Sequence, residues 1–131
     1  MLSPYRVLDL TDQRGHLAGL MLSMLGAEVV KIEPPGGVST RNAGPFDHSG
    51  VSLTHLAYDR GKKSVVIDLT SPEGKELLLG LVEGSDCLIE SQGVGVLQNL
   101  GLSNQTLLER NPSLVIGTLT PFGHTGPKAH W

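Results

Sequence analysis

A chain of 131 residues is one domain by length and long enough to bury a core without disulfide or metal staples. Its net charge of −3 argues against a non-specific nucleic-acid or membrane binder, and no apolar run is long enough to span a bilayer. A single cysteine, Cys87, excludes an internal disulfide and suits a cytoplasmic setting; the N-terminal MLSPYRVLDL also lacks the basic-then-apolar pattern of a secretory signal.

The apolar run from Tyr5 to Leu10 predicts a buried strand. Leu17, Leu20, Met21, Met24 and Leu25 then fall at i, i+3, i+4, i+7 and i+8, which predicts a helix burying that face. Gly26 follows as a left-handed stop. Glu28 to Ile32 predicts a second strand, ended by Pro34-Pro35-Gly36-Gly37. Residues 34 to 50 are a long polar loop, a length that in compact domains usually serves a function. Ser52 to Tyr58 predicts a short helix, and Arg60-Gly61-Lys62-Lys63 a basic turn. Ser64 to Leu69 is a β-branched strand. Ser71-Pro72-Glu73 opens a helix with a capping serine, proline at the first position and an acid in the first turn. Leu77, Leu78, Leu81 and Val82 are expected to face the core, and Gly74 to weaken this helix by roughly 1 kcal/mol relative to alanine. Asp86 to Glu90 is a further strand, Ser103 to Arg110 a helix stopped by Asn111-Pro112, and Leu114 to Leu119 the last strand. This alternation predicts an α/β fold, a Rossmann-like, mostly parallel sheet with helices on both faces.

The opening stretch, LTDQRGHLAGLMLSMLGAEVVKIEPPGG, has the outline of a nucleotide-binding unit. A dinucleotide cradle needs G-x-G-x-x-G. Here Gly15 and Gly19 remain, but Asp12 would repel phosphate and Arg14 is bulky. Glu33 stands where a ribose-binding acid would sit. The alternative is that the two glycines only let the helix pack closely on the sheet. The basic turn at 60 to 63 can hold a phosphate-bearing ligand, or its lysines can simply be solvated. The five histidines show no metal-ligand spacing on a shared helix and have no cysteine partner, so no metal is expected. His124 and His130 flank Gly126-Pro127 and could line a pocket. Cys87 lies in an apolar run and reads as a small core residue. A hydrolase elbow, G-x-S-x-G, does not occur.

Four blocks carry the reading further: RVLDLT, HLAGLMLSMLGAEVVKIEPPGG, RGKKSVVIDLTSPEGKELLLGLV and LGLSNQTLLERNPSLVIGTLTPFGHTGP. In this order and spacing they resemble the family III CoA-transferases, a family that includes formyl-CoA:oxalate transferases, carnitine CoA-transferases and α-methylacyl-CoA racemases. The likeness runs from about Arg6 to Trp131. It implies that residues 1–131 are the N-terminal portion of a large Rossmann-like domain, whose full-length relatives form interlocked homodimers. It implies coenzyme A as substrate, carried as an acyl-CoA, with a carboxylic acid as acceptor, and neither nucleic acid nor membrane as partner. CoA would lie against Ile67, Asp68, Leu69 and Thr70, with Gln92 and Gly93 after the fourth strand and Arg14 and Gly15 toward the thioester. Three departures from the family pattern weaken that site. Pro34 replaces an arginine offered to the nucleotide, Glu90-Ser91-Gln92-Gly93-Val94-Gly95 lacks a stacking aromatic, and Asn99 replaces a basic residue. The family's chemistry uses an aspartate that attacks the thioester; it follows a segment matching Gly126 to Trp131, so no catalytic residue is expected within this sequence. Two alternatives stay open: a stand-alone CoA or nucleotide binder without catalysis, and a fragment of the racemase type, whose histidine also lies downstream.

Overall fold

The computed structural model describes residues 1–129 and 131. Among the described residues, β1 (Arg6–Leu10), β2 (Glu28–Glu33), β3 (Lys63–Val66), β4 (Cys87–Glu90) and β5 (Val115–Thr118) form one sheet in the order β3-β2-β1-β4-β5. Every pairing is parallel: Val7 faces Val29 on one side and Cys87 on the other, Lys31 faces Ser64, and Leu88 faces Ile116. The crossovers carry α1 (His16–Met24), α2 (Leu53–Asp59), α3 (Pro72–Glu83), α4 (Val96–Asn99) and α5 (Asn104–Arg110).

Side chains alternate across a strand, so the sheet has two faces of different character. Leu8, Leu10, Ile32 and Leu88 point to one side, where Leu78 and Val82 of α3 and Leu107 of α5 complete the main core. Val7, Val29 and Ile89 point to the other, against Ala18 and Leu22 of α1. Burying one such aliphatic side chain contributes about 1.5–3 kcal/mol. The capping predictions for α3 hold: the Ser71 hydroxyl accepts from the Gly74 N–H and Pro72 is the first helical residue. Gly26 ends α1 at φ +101°, with its N–H bonded to Ser23 O and that of Ala27 to Leu22 O.

Two expectations fail at the helix surfaces. Of the predicted buried stripe on α1, only Leu20 is buried; Leu17, Met21, Met24 and Leu25 point outward, Met24 with 67 % of its surface exposed. The side that meets the sheet carries Ala18 and Gly19 beside Leu22, and Gly19 sits against Asp9: a Cβ there would lie 2.1 Å from Asp9 Oδ2. A helix that approaches so closely turns its small face inward and its large residues out. On α3, Leu78 and Val82 are buried as expected, but Leu77 is 62 % exposed. It lines an open groove of about 740 Å³ with Val65, Val66, Gly80 and Leu81 along the outer edge of β3. Gly74 is no mere weak point of α3. A Cβ on it would lie 1.9 Å from the Asp68 carbonyl oxygen, so glycine is the residue that lets the helix start where it does.

One boundary also moves, and one helix is new. The third strand ends at Val66, not Leu69: Ile67 keeps one bond to Glu33 O of β2, and the chain then turns away through Leu69 and Thr70. Helix α4 has no counterpart among the expected elements; it follows Gly95, whose φ of +80° redirects the chain after β4.

Candidate functional site

In a parallel sheet, ligands bind beyond the carboxyl ends of the strands, where the strand order reverses. Here β1 leads outward to β2, and α3 brings the chain back across to β4, so the reversal lies between β1 and β4. Two cavities open along this crest.

The first encloses about 210 Å³. Leu10, Ile32, Ile67, Leu69, Leu97 and Leu100 give it an apolar floor, and Glu33, Asp68, Thr70 and Gln92 a polar rim. The rim is built by short-range chemistry. Asp68 Oδ1 accepts from the Thr70 N–H at 2.9 Å and from its hydroxyl at 2.6 Å, which bends the chain after β3. The hydroxyl of Ser71 donates to Asp68 O at 3.0 Å, so the cap of α3 and the turn share one residue. Gln92 donates from Nε2 to Leu10 O at 2.7 Å and its N–H to Glu90 Oε2 at 2.7 Å, fixing the loop after β4 over the end of β1.

The second cavity, about 230 Å³, is lined by Arg14, Gly93, Val94, Val96, Pro121 and Trp131. A latch at the reversal point forms its wall. Asp12 Oδ1 accepts from the Ser91 hydroxyl at 2.9 Å and from the Arg14 N–H at 2.9 Å. Arg14 Nη2 donates to Asp12 Oδ2 at 2.7 Å and to Ser91 O at 2.5 Å. Partial burial pushes the Asp12 carboxyl up, but the bonds from Arg14 and Ser91 together hold it down to about 2. Asp12, awkward for a dinucleotide, therefore has a positive role. It orients Arg14 and ties the two loops of the crevice together.

The structure thus brings Ile67, Asp68, Leu69, Thr70 and Gln92 to one cavity and Arg14 and Gly93 to the next, with the Gln92–Gly93 peptide joining them. Gly15 lines neither. It is buried at the start of α1, where a Cβ would meet Thr11 Cγ2 at 2.7 Å. His124 lines a third, polar cavity of about 350 Å³ with Glu90 and Gln98; His130 lies outside the described residues. Sequence reasoning missed the contribution of α4, whose Leu97 shares the floor with the neighbouring Leu100. Leu97 and Leu100, three residues apart after Gly95, were the available sign of a helix turn.

Beneath the crest, on the α1 and α2 side, runs a chain of buried ions. Lys62 Nζ lies 2.9 Å from Asp9 Oδ2 and 2.7 Å from Asp59 Oδ1, with its side chain only 1 % exposed. Lys31 Nζ lies 3.1 Å from Asp9 Oδ1 and also donates to Thr11 O. His55 Nδ1 lies 3.0 Å from Asp59 Oδ2. Burial pushes the Asp9 carboxyl up, and the two lysines and the Thr11 hydroxyl more than reverse it. The basic turn is therefore divided: Lys62 is an internal ion, whereas Lys63 is solvated and pairs with Glu28 at the surface. His16, stacked on Tyr58 at 4.0 Å, is held below the ordinary histidine range chiefly by burial.

Glu33 closes the dinucleotide question. Its carboxylate takes both ends of the Arg41 guanidinium at 2.6 Å each and the Ser64 hydroxyl at 2.5 Å, and its side chain is 1 % exposed. It cannot be offered to a ribose. Hydrogen bonds from Arg41, aided by Ser64 and the Val38 N–H and opposed by burial, hold it down to about 2 from an ordinary 4.5. Its folded pKa is depressed, so the stability it contributes is complete above about pH 4.5 and is lost as pH falls through about 2. Glu33→Gln is therefore expected to lower the urea midpoint at pH 7 and to leave it nearly unchanged at pH 2. Urea melts at a series of pH values check this.

Among the described residues no group of three or more His, Cys, Asp or Glu side chains could hold a metal ion, and no helix is long and apolar enough to cross a membrane.

Comparison with known proteins agrees with this fold. The chain is 40 % identical over 131 residues to the succinyl-CoA:(R)-benzylsuccinate CoA-transferase subunit BbsE of Thauera aromatica, an alignment that takes in 97 % of this chain and 32 % of that protein. It is 40 % identical to the succinate–glutarate CoA-transferase of Agrobacterium fabrum, covering 98 % of this chain and 34 % of the relative. Its fold superposes on the crystal structure of an aspartate-to-alanine mutant of Rv3272 from Mycobacterium tuberculosis with a TM-score of 0.90 at 39 % identity, over 98 % of this chain and 35 % of that one. The chain thus spans about a third of the length of the curated relatives it matches. The family model described as CoA-transferase family III matches residues 2–131, and the chain belongs to that family.

Proposed function

We propose that this chain supplies the nucleotide-holding part of an enzyme that transfers CoA between an acyl-CoA and a carboxylic acid, and that residues 1–131 are the N-terminal portion of its large domain. The observation that carries the reading is the cavity in which Ile67–Thr70, leaving β3, meet Gln92 from the loop after β4, in a chain of this family. An apolar cavity of about 210 Å³ with a few polar groups at its rim suits an adenine and its ribose. The pantetheine arm then runs past Gly93 toward Arg14 and the second cavity, where the latch keeps the guanidinium in place. Gly93, with φ +103° and no side chain, lets a ligand approach the backbone at the junction.

In this reading an aspartate beyond Trp131 attacks the thioester carbonyl. The C–S bond breaks, CoA leaves as the thiolate and a mixed anhydride forms. The thiolate then attacks the aspartyl carbonyl, which releases the donor acid as its carboxylate and leaves an aspartyl–CoA thioester. The acceptor carboxylate and the thiolate run the same two steps in reverse to give the new acyl-CoA and the free aspartate. Each aspartate within the chain has at least one oxygen held by a neighbouring group, which supports that placement. Asp9 and Asp59 sit in the buried ion chain, Asp12 in the latch, Asp68 in the rim turn, Asp47 in its own loop turn, and Asp86 accepts from the Arg6 N–H.

Isothermal titration of the chain with CoA, alongside a transferase assay with succinyl-CoA and glutarate, tests the proposal. The expected result is saturable binding of CoA, lost when Leu69→Arg fills the slot, and no turnover. Absence of any CoA binding would remove the site assignment, and turnover by this chain would remove the placement of the nucleophile.

A further inference from the structure

We infer that this site does not read the 3′-phosphate of CoA, and that Asp68 is the residue that sets this specificity. The inference rests on the proposed placement of CoA's adenosine end in the cavity beside Ile67–Thr70.

The 3′-phosphate is carried on the ribose, so a slot that takes the adenine brings that phosphate to the rim. Sites that favour a phosphorylated ribose present an arginine there, whereas sites that favour free hydroxyls present a carboxylate. The charged residues of this rim are Glu33 and Asp68, both acids. Glu33 has its two oxygens taken by Arg41, Ser64 and the Val38 N–H. Asp68 differs. Its Oδ1 holds the Thr70 turn, and among the described residues Oδ2 has no hydrogen-bond partner. It is exposed, and the bonds from Thr70 hold it below the usual carboxylate range. A ribose hydroxyl can donate to it; a phosphate dianion is repelled.

The arginines and lysines nearest the slot are already matched, while Lys128 lies over the Trp131 ring at the second cavity. Arg41 is spent on Glu33, Arg14 on Asp12 and Ser91, Lys31 and Lys62 on Asp9, and Lys63 on Glu28. The amino end of α3, which favours anions by its dipole, is capped by Ser71 and flanked by Asp68 and Glu73. Lys75 stands one turn into α3, outside the cavity wall.

The test is calorimetric titration of the chain with CoA and with dephospho-CoA at low and at physiological salt. The expected result is that dephospho-CoA binds as tightly as CoA, or up to about threefold tighter at low salt. That factor follows from a single carboxylate facing a phosphate across several ångströms of high-dielectric, salt-screened rim. Asp68→Asn keeps the acceptor for Thr70 and removes the charge, and should move the ratio about threefold toward CoA. Asp68→Lys should move it further the same way. CoA binding tenfold or more tighter than dephospho-CoA overturns the inference while leaving the CoA site standing; if Lys75→Met then abolishes the difference, Lys75 is the phosphate reader instead. Failure of both ligands to bind overturns the inference together with the reading it rests on.

Discussion

Gly74→Ala should destabilise the protein by about 3 kcal/mol or more, although helix propensity alone favours the change by about 1 kcal/mol. The new methyl carbon would stand 1.9 Å from the carbonyl oxygen of Asp68, and the obstacle is backbone, which cannot rotate away. Either α3 lifts off the end of β3 or the Asp68–Thr70 turn is displaced. Both loosen the cavity rim, so binding at the crest should weaken in parallel with stability. Gly80→Ala is the matched control. It lies in the same helix with no atom within 4 Å of the added carbon, and should stabilise by roughly 0.5–1 kcal/mol. Thermal melts of the two variants should move in opposite directions, with a fall of roughly 10 °C for Gly74→Ala. Two variants that both gained stability would show that the approach of α3 to Asp68 is not as close as described.

Lys62→Met should cost about 3–5 kcal/mol, the range for breaking a buried ion pair by removing one partner. Three acceptors lose their donor at once: Asp9 Oδ2 at 2.9 Å, Asp59 Oδ1 at 2.7 Å and His16 O at 3.1 Å. Asp9 keeps only Lys31 and Thr11, and Asp59 keeps His55. Because Asp9 and Lys62 share one network, Asp9→Asn added to Lys62→Met should cost less than the sum of the two, by about 1–3 kcal/mol. Its neighbour in the same turn behaves otherwise. Lys63 is 71 % exposed at its side chain, its pair with Glu28 is solvated, and Lys63→Met should leave the urea midpoint almost unchanged. Equal effects of the two lysine substitutions would refute the assignment of Lys62 as an internal ion.

That contrast marks how far the sequence could be read. Parallel pairing followed from the alternation of apolar runs with capped helices, and Ser71-Pro72-Glu73 placed the start of α3 to the residue. Resemblance singled out Ile67–Thr70 and Gln92, and the structure brings them to one cavity. What periodicity could not show was which side of a helix docks. On α1 the large residues form the obvious stripe, yet contact with the sheet goes to Ala18, Gly19 and Leu22, because only a small face clears Asp9. Lys62 and Lys63 are identical as letters. Their difference lies in Asp9 and Asp59, one far away in sequence and one on the preceding turn of helix. Gly74 and Gly80 are likewise alike until the Asp68 carbonyl is placed beside one of them. Arg41 illustrates the same limit. Pro34 stands where an arginine was expected at the end of β2, while the loop beyond it supplies the Arg41 guanidinium there, bound to Glu33.

The central position of β1 has a consequence for how the protein is made. This strand leaves the ribosome before the other four of the sheet, and its partners arrive at very different times. Val29 follows Val7 after one helix, so β1 and β2 can pair early, and β3 can add to them. The other side of β1 waits for Cys87 to Glu90. Until those residues emerge, Leu8 and Leu10 present an unpaired, apolar ladder in the middle of the future sheet, a pairing that is slow to form because it spans so much chain. A ribosomal pause before β4 would prolong that exposure and call for chaperone shelter, whereas a pause just after β4 has cleared the exit tunnel would let the sheet close.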